Sequence, residues 1–189
     1  FYFANDEDIE FRHIIFQLIS FITTSGFTST SYESWPSFIV ISLLLVSFFG
    51  ACAGSTGGGI KIIRIVLILK LLKKGLLRTL HPTAEVPIKI NQQAISDDVA
   101  SNIYNFLVFY ILSYTFLSLT LLMLGNDFTT SFSSVASCLN NLGPAIGDVM
   151  RGYSTLSTTS KYILCFTMIL GRLEIYTLLI ILTPYFWKY

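Results

Sequence analysis

Charge is scarce in this chain. Asp, Glu, Lys and Arg make up 12% of its 189 residues, about half the share found in soluble globular domains. With a mean hydropathy of +0.67, the composition lies outside the soluble range. The apolar segments hold no His/Asp/Glu cluster, no nucleophile–base pair and no metal-ligand spacing, which counts against a membrane-embedded enzyme. Cysteine is nearly absent: Cys52, Cys138 and Cys165 sit in apolar surroundings without CxxC or Cys/His spacing, and read as small buried hydrophobes. His13 and His81 have no second ligand nearby and read as interfacial or loop residues. No signal peptide is visible, and the chain opens on Phe1 rather than Met. The expectation is a fragment of a longer protein.

What the chain does have is a glycine cluster, Gly54-Ser55-Thr56-Gly57-Gly58-Gly59, between two strongly apolar runs. Phe38 to Phe49 precedes it, and Ile60 to Leu72 follows it, carrying Lys61, Arg64 and Lys70. Each glycine costs a helix about 1 kcal/mol relative to alanine. The break also frees backbone groups that lipid cannot satisfy, so it survives only inside protein or beside water. An intramembrane loop next to a permeation path fits both demands. A phosphate loop does not: Ile60 stands where GxxxxGK[ST] needs lysine, and no Ser/Thr follows Lys61.

Charge is also distributed unevenly. Asp6, Glu7, Asp8 and Glu10 open the chain, whereas seven Lys/Arg lie between Lys61 and Lys89. By the positive-inside rule the segment after the glycine loop is cytoplasmic and the acidic start is outside.

Phe11 to Ile22 is apolar but spans only about 18 Å as a helix, against a hydrocarbon core of about 30 Å. It could be interfacial, buried or re-entrant. Thr23-Thr24-Ser25-Gly26 follows directly, and a short helix aiming its negative dipole end at small residues fits a re-entrant pore helix. Trp35-Pro36 reads as an interfacial aromatic and a first-turn proline. The stretch from Ser37 to about Arg78 is too long for one span and becomes two half-helices around the glycine loop. His81 to Gln93 reads as a cytoplasmic connection, with prolines at 82 and 87. Ser96-Asp97-Asp98 caps a full-length span, Val99 to Leu124. Phe128 to Leu139 is a second twelve-residue helix, followed by Asn140-Asn141-Leu142-Gly143-Pro144. A polar outer loop, Gly147 to Lys161, leads to a last span, Tyr162 to Phe186, which brings the C-terminus inside.

The two halves repeat. A shift of 117 residues lays Phe11 on Phe128, Leu18 on Val135, Ile22 on Leu139 and Gly26 on Gly143. After a four-residue length change Gly50 falls on Gly171. The copies share one orientation, so the axis relating them runs along the membrane normal. Two short arcs cannot encircle an ion, so about half the ring must come from elsewhere.

Several stretches carry a resemblance: GFTSTSYESWP (26–36), GACAGSTGGGIKIIR (50–64), CLNNLGPAIGD (138–148) and LGRLEIYTLLIILTP (170–184). Over essentially the whole length the chain resembles the TrkH branch of the Trk/Ktr/HKT potassium-uptake superfamily. The resemblance implies an all-α membrane protein with potassium-channel-like membrane–pore–membrane repeats around a pseudo-four-fold axis. Residues 1–78 would be the third repeat without its outer helix, 79–93 a cytoplasmic linker, and 94–189 the fourth repeat. The first two repeats would be missing from this chain.

The resemblance makes Thr23, Thr24, Ser25 and Gly26 one filter arc and Asn140, Asn141, Leu142 and Gly143 another. Their backbone carbonyls would replace the water shell of potassium, the permeant species; no cofactor and no other metal is implied. Neither arc carries the TVGYG of potassium channels, and Asn140, Asn141 and Pro144 depart from it furthest. The loop Gly54, Ser55, Thr56, Gly57, Gly58, Gly59 would block the pore when closed. Arg172 lies ten residues inside the last span, where a charge costs about 3 kcal/mol or more and normally faces protein or water. The repeat sets it level with Ala51, so its guanidinium could hold the glycine loop shut; a structural ion pair is the other reading, with a partner on another helix because Glu174 lies on a different face. Implied partners are the missing N-terminal repeats, a second copy in a homodimer, membrane lipids along the Lys61–Arg78 run, and a TrkA-like nucleotide-binding regulator; nucleic acid is not expected. The implied location is the bacterial inner membrane, multi-pass, for a non-enzymatic potassium-uptake protein. A proton- or sodium-coupled symporter is the alternative, with Glu174 the one good intramembrane carboxylate for coupling.

Overall fold

The computed structural model describes residues 11–32, 34–50, 58–81, 89–90, 93–94, 97–150, 152–173 and 187. Among the described residues six α-helices carry the fold: α1 Phe11–Ile22, α2 Ser37–Ser47, α3 Ile62–Leu80, α4 Asp97–Met123, α5 Phe128–Leu139 and α6 Thr158–Arg172. Two single 3₁₀ turns, Gly147–Val149 and Tyr153–Thr155, lie between α5 and α6. The all-α expectation takes one amendment. In the linker, β1 Lys89–Ile90 and β2 Gln93–Ala94 pair antiparallel, Lys89 opposite Ala94 and Ile90 opposite Gln93.

Among the described residues α4 alone is long and apolar enough to cross a membrane, over Val99–Met123 with mean hydropathy 2.0. Those 25 residues reach about 37 Å at 1.5 Å each. Helices α1 and α2 are apolar but too short to cross. The local starts and stops have identifiable causes. Asp127 caps α5 by accepting the Thr129 N–H at 3.0 Å, and the Ser157 hydroxyl caps α6 by accepting the Ser160 N–H at 3.2 Å. That cap starts α6 at Thr158, four residues before the start expected at Tyr162. The 174–186 part of the expected last span lies outside the described residues, as do 51–57 of the glycine loop.

Among the described residues three clusters hold the helices together. The largest joins Phe106, Tyr110, Leu117 and Leu121 of α4 to Val135, Cys138 and Leu139 of α5 and Leu164 and Leu170 of α6. A second joins Phe21 of α1, Val40 and Leu43 of α2, Tyr32, Trp35 and, from the other half of the chain, Leu142. The third packs Leu67 and Leu71 of α3 on Ile103 of α4. Trp35 is therefore a core residue, 5% exposed and edge-on to Tyr32, and not the interfacial anchor its place before Pro36 suggested.

Helix α5 sits at the centre. Its buried face includes Ser131, Ser133, Ser134, Ala136 and Ser137, small residues that let neighbouring backbones approach closely. Helix α1, in the same register, buries only Gln17, Ser20 and Phe21. Ile19 is 55% exposed and its counterpart Ala136 is fully buried. The cause is α4, which covers α5 and has no counterpart on α1 among the described residues.

Candidate functional site

The two short helices end in the same way, bond for bond. After α1, the N–H groups of Thr23, Thr24 and Ser25 donate to the carbonyls of Ile19, Phe21 and Ser20. After α5, those of Asn140, Asn141 and Leu142 donate to Ala136, Cys138 and Ser137, each 117 positions on. Both ends are Schellman closures, in which the residue after the cap turns left-handed. That residue is Thr24 at φ 52° in one half and Asn141 at φ 54° in the other. Two positions later Gly26 and Gly143 are left-handed as well, at φ 77° and 101°. Asparagine tolerates this conformation, whereas a β-branched threonine is strained there. The same backbone, built from Thr-Thr-Ser-Gly and Asn-Asn-Leu-Gly, faces the negative end of a helix dipole in both halves.

The two arcs touch. Gly26 lies against the Leu142 carbonyl so closely that a Cβ there would overlap it, with Pro144 Cδ 3.3 Å from the same point. The Leu142 side chain is buried among Phe21, Tyr32 and Leu43 of the first half. Two tyrosine hydroxyls fasten the backbone at the second arc and just past it: Tyr153 donates to the Gly143 carbonyl at 2.7 Å and Tyr32 to the Ala145 carbonyl at 3.0 Å. Burial pushes the Tyr32 phenol up to about 12 and raises that of Tyr153 as well, so both keep their protons at any ordinary pH. Ser133 holds the segment beyond, accepting from the Ile146 N–H at 3.0 Å and donating to its carbonyl at 2.7 Å. Thr130 accepts from the Asp148 N–H at 3.1 Å, and in the first half His13 occupies its register position, with Nδ1 2.9 Å from Ser29 Oγ.

The glycine loop closes on itself and on the second arc. The Ile60 N–H donates to the Phe48 carbonyl at 3.0 Å, and a Cβ on Gly50 would stand 3.1 Å from the Gly58 carbonyl, so the chain returns to the point where it left α2. Gly50 and Gly59 are both left-handed, at φ 55° and 83°. Gly58 sits directly on the backbone of Asn140, leaving no room for a Cβ. Gly171 of α6 sits equally close to the Leu139 carbonyl. Adjacent residues at the end of α5 thus seat the glycine loop on one side and the last helix on the other.

Asn140 is fully buried. Its amide nitrogen donates to Ser47 Oγ at 3.0 Å, and its amide oxygen accepts from the Tyr110 hydroxyl at 2.5 Å.

The sequence-predicted site residues fall as follows. Thr23, Thr24, Ser25 and Gly26 meet Asn140, Asn141, Leu142 and Gly143 through the Gly26–Leu142 contact. Gly58 and Gly59 reach the second arc, whereas Gly54, Ser55, Thr56 and Gly57 lie outside the described residues. Arg172 is exposed at the end of α6, next to the seated Gly171. Glu174 lies outside the described residues. Sequence reasoning missed Tyr32, Tyr153, Tyr110 and Ser47. The first two could have been found, because they are 121 positions apart, the offset that lays Gly50 on Gly171 and Pro36 on Ser157.

Chemically, the arcs offer neutral backbone carbonyls and hydroxyls. Among the described residues no three His, Cys, Asp or Glu gather as metal ligands would. Uncharged oxygens in a fixed backbone suit a weakly hydrated monovalent cation better than a divalent one.

Comparison with known proteins gives a consistent picture. Residues 5–189 match the family model described as "TrkH: Cation transport protein". The chain is 43% identical over 178 residues to the Trk system potassium uptake protein TrkH of Vibrio parahaemolyticus, covering 94% of this chain and 37% of that protein. It is 39% identical over 177 residues to TrkH of Halomonas elongata, again 94% and 37%. A crystal structure of the potassium transporter TrkH from Vibrio parahaemolyticus superposes with a TM-score of 0.86 at 43% identity, over 92% of this chain and 37% of that one. The chain spans little more than a third of the length of these relatives.

Proposed function

The chain belongs to the TrkH family of cation transport proteins, and from that premise we propose that it forms part of a potassium-uptake pathway across the bacterial inner membrane. Its relatives are named potassium uptake proteins. Residues 1–78 and 94–189 are read as the third and fourth membrane–pore–membrane repeats, joined by the cytoplasmic linker 79–93. In this reading Thr23–Gly26 and Asn140–Gly143 are two of four filter arcs around a pseudo-four-fold axis, and earlier repeats of the same protein supply the others. The observation that carries it is the shared backbone of the arcs, left-handed at Thr24 and Asn141 and again at Gly26 and Gly143, with Gly26 seated on Leu142.

Below the arcs, the loop Gly54–Gly59 acts as the gate, and Arg172 holds it closed by donating to loop carbonyls while opposing cations. A homodimer, membrane lipids and a TrkA-like nucleotide-binding regulator on the cytoplasmic face complete the assembly. The first residues face the periplasm and the C-terminus the cytoplasm.

The test is potassium flux into liposomes from a full-length TrkH-family transporter carrying this segment. Flux that persists without a proton or sodium gradient is expected. Flux that requires such a gradient would favour a coupled symporter, and no flux at all would sink both. Arg172→Ala should raise potassium flux in the unstimulated protein; unchanged or lower flux in well-folded protein would remove the gating role.

A further inference from the structure

The geometry points to Asn140 as a positioning residue that locks the seat of the glycine loop to the filter arc, so that ion selectivity depends on the hydroxyl of Ser47 at the end of α2. The inference rests on the proposed function and deepens it.

Asn140 stands at the meeting point of four segments. Its N–H closes α5 on Ala136 at 3.0 Å, and its backbone carries Gly58. Its side chain reaches α2 through Ser47 and α4 through Tyr110. The orientation of the amide is fixed by the partners. The Ser47 hydroxyl donates its hydrogen to the Leu44 carbonyl at 2.6 Å, so only a lone pair is left to face Asn140. The amide nitrogen must therefore lie on that side, which leaves the amide oxygen for the Tyr110 hydroxyl. Phe48, next to Ser47, stacks edge-on against Tyr110 and Tyr114 with centroids at 6.2 and 5.8 Å. The end of α2 and the face of α4 are thereby clamped on either side of one asparagine.

Of the two arcs in this chain the second alone has this arrangement. The register counterpart of Asn140 is Thr23, whose hydroxyl donates back into its own helix, to the Ile19 carbonyl at 2.8 Å. Asn140 instead ties its arc to the point where the chain leaves α2 and to the point where it returns at Gly58 and Gly59. Any shift of Gly58 is a shift against the Asn140 backbone. The next residue is Asn141, whose left-handed turn sets the direction of the following carbonyls. Loop position and filter geometry are thus mechanically linked, and Ser47 is the link on the loop side.

The experiment measures the potassium-to-sodium permeability ratio and the total flux of the full-length transporter carrying this segment. Ser47→Ala and Tyr110→Phe each remove one hydroxyl that Asn140 uses. Each is expected to lower the permeability ratio by about threefold or more, because a buried amide group left unpaired lets the arc relax. Ser47→Thr keeps the hydroxyl and should restore the ratio. A purely structural role would lower the amount of folded protein without moving the ratio, as read by size-exclusion profile against flux. Parent-like ratios in both Ser47→Ala and Tyr110→Phe would overturn the inference, as would a Ser47→Thr variant no better than Ser47→Ala. If Ser47→Ala does not fold, the milder Tyr110→Phe decides. Absence of potassium flux from the parent would instead remove the reading beneath it.

Discussion

Gly26→Ala is expected to abolish selective potassium flux in a full-length transporter carrying this segment. Two independent costs fall on that one position. The backbone is left-handed there, φ 77°, a conformation that costs an L-residue about 1–2 kcal/mol. The second cost is steric, because the new methyl would point into the Leu142 carbonyl, with Pro144 packed behind it. Neither obstacle is the free end of a flexible side chain, so one of the two arcs must move. Overpacking of this kind costs about 1–3 kcal/mol, and each 1.4 kcal/mol is about tenfold in an equilibrium. Carbonyls that replace an ion's water shell act through their number and direction, and moving an arc changes both. Gly143→Ala tests the argument from the other side. That glycine is also left-handed, at φ 101°, but a Cβ there would meet nothing within 4 Å. It should keep measurable flux with reduced selectivity. The check is potassium and sodium uptake by liposomes at matched protein content. Parent-like selectivity in Gly26→Ala would show that the contact between the arcs does not shape the ion path.

The local features of this site were legible in the sequence. The bounds Phe11–Ile22 and Phe128–Leu139 follow from an apolar run and a run of mixed small and apolar residues, each followed by small polar residues and glycine, and the 117-residue shift gave the common register of the two arcs. The start of α6 was obscured because Ser157-Thr158-Thr159-Ser160 reads as polar loop. In the structure the first of these hydroxyls caps the helix. Trp35 misled for a related reason. An aromatic beside a proline suits a membrane interface, but here Trp35 packs edge-on to Tyr32 in a cluster that also takes in Leu142, more than a hundred residues away. The least legible part was the support behind the arcs. Tyr32 finds its acceptor 113 residues away and Asn140 finds Ser47 at a separation of 93. No periodicity within one helix encodes such pairs. Only the offset between repeats hints at them, and for Asn140 even that fails, because its counterpart is a threonine bonded within its own helix.

Gly58→Ala should act in the opposite direction from Gly26→Ala and open the pathway. Gly58 does not lie in the left-handed region, so alanine brings no backbone penalty. The whole effect is the collision of the new methyl with the carbonyl oxygen and carbon of Asn140. The arc is held by Tyr110, Ser47 and the end of α5, so it is Gly58 that must give way. If the seated loop is the closed gate, a penalty of about 1–3 kcal/mol on seating raises the open fraction about five- to a hundredfold, since each 1.4 kcal/mol is about tenfold. Two other glycines separate this from a general loss of packing. Gly171→Ala drives a methyl into Leu139 and Asn141, which pushes α6 off the arc and should lower flux. Gly75→Ala, in the exposed part of α3 with nothing near it, should leave flux unchanged and add up to about 1 kcal/mol of helix stability. The measurement is unstimulated potassium leak from loaded vesicles, compared across the three variants at equal folded protein. Higher leak confined to Gly58→Ala would place the barrier at the seat of the loop. Equal leak in all three, or a fall in Gly58→Ala, would mean that the ion path is closed elsewhere.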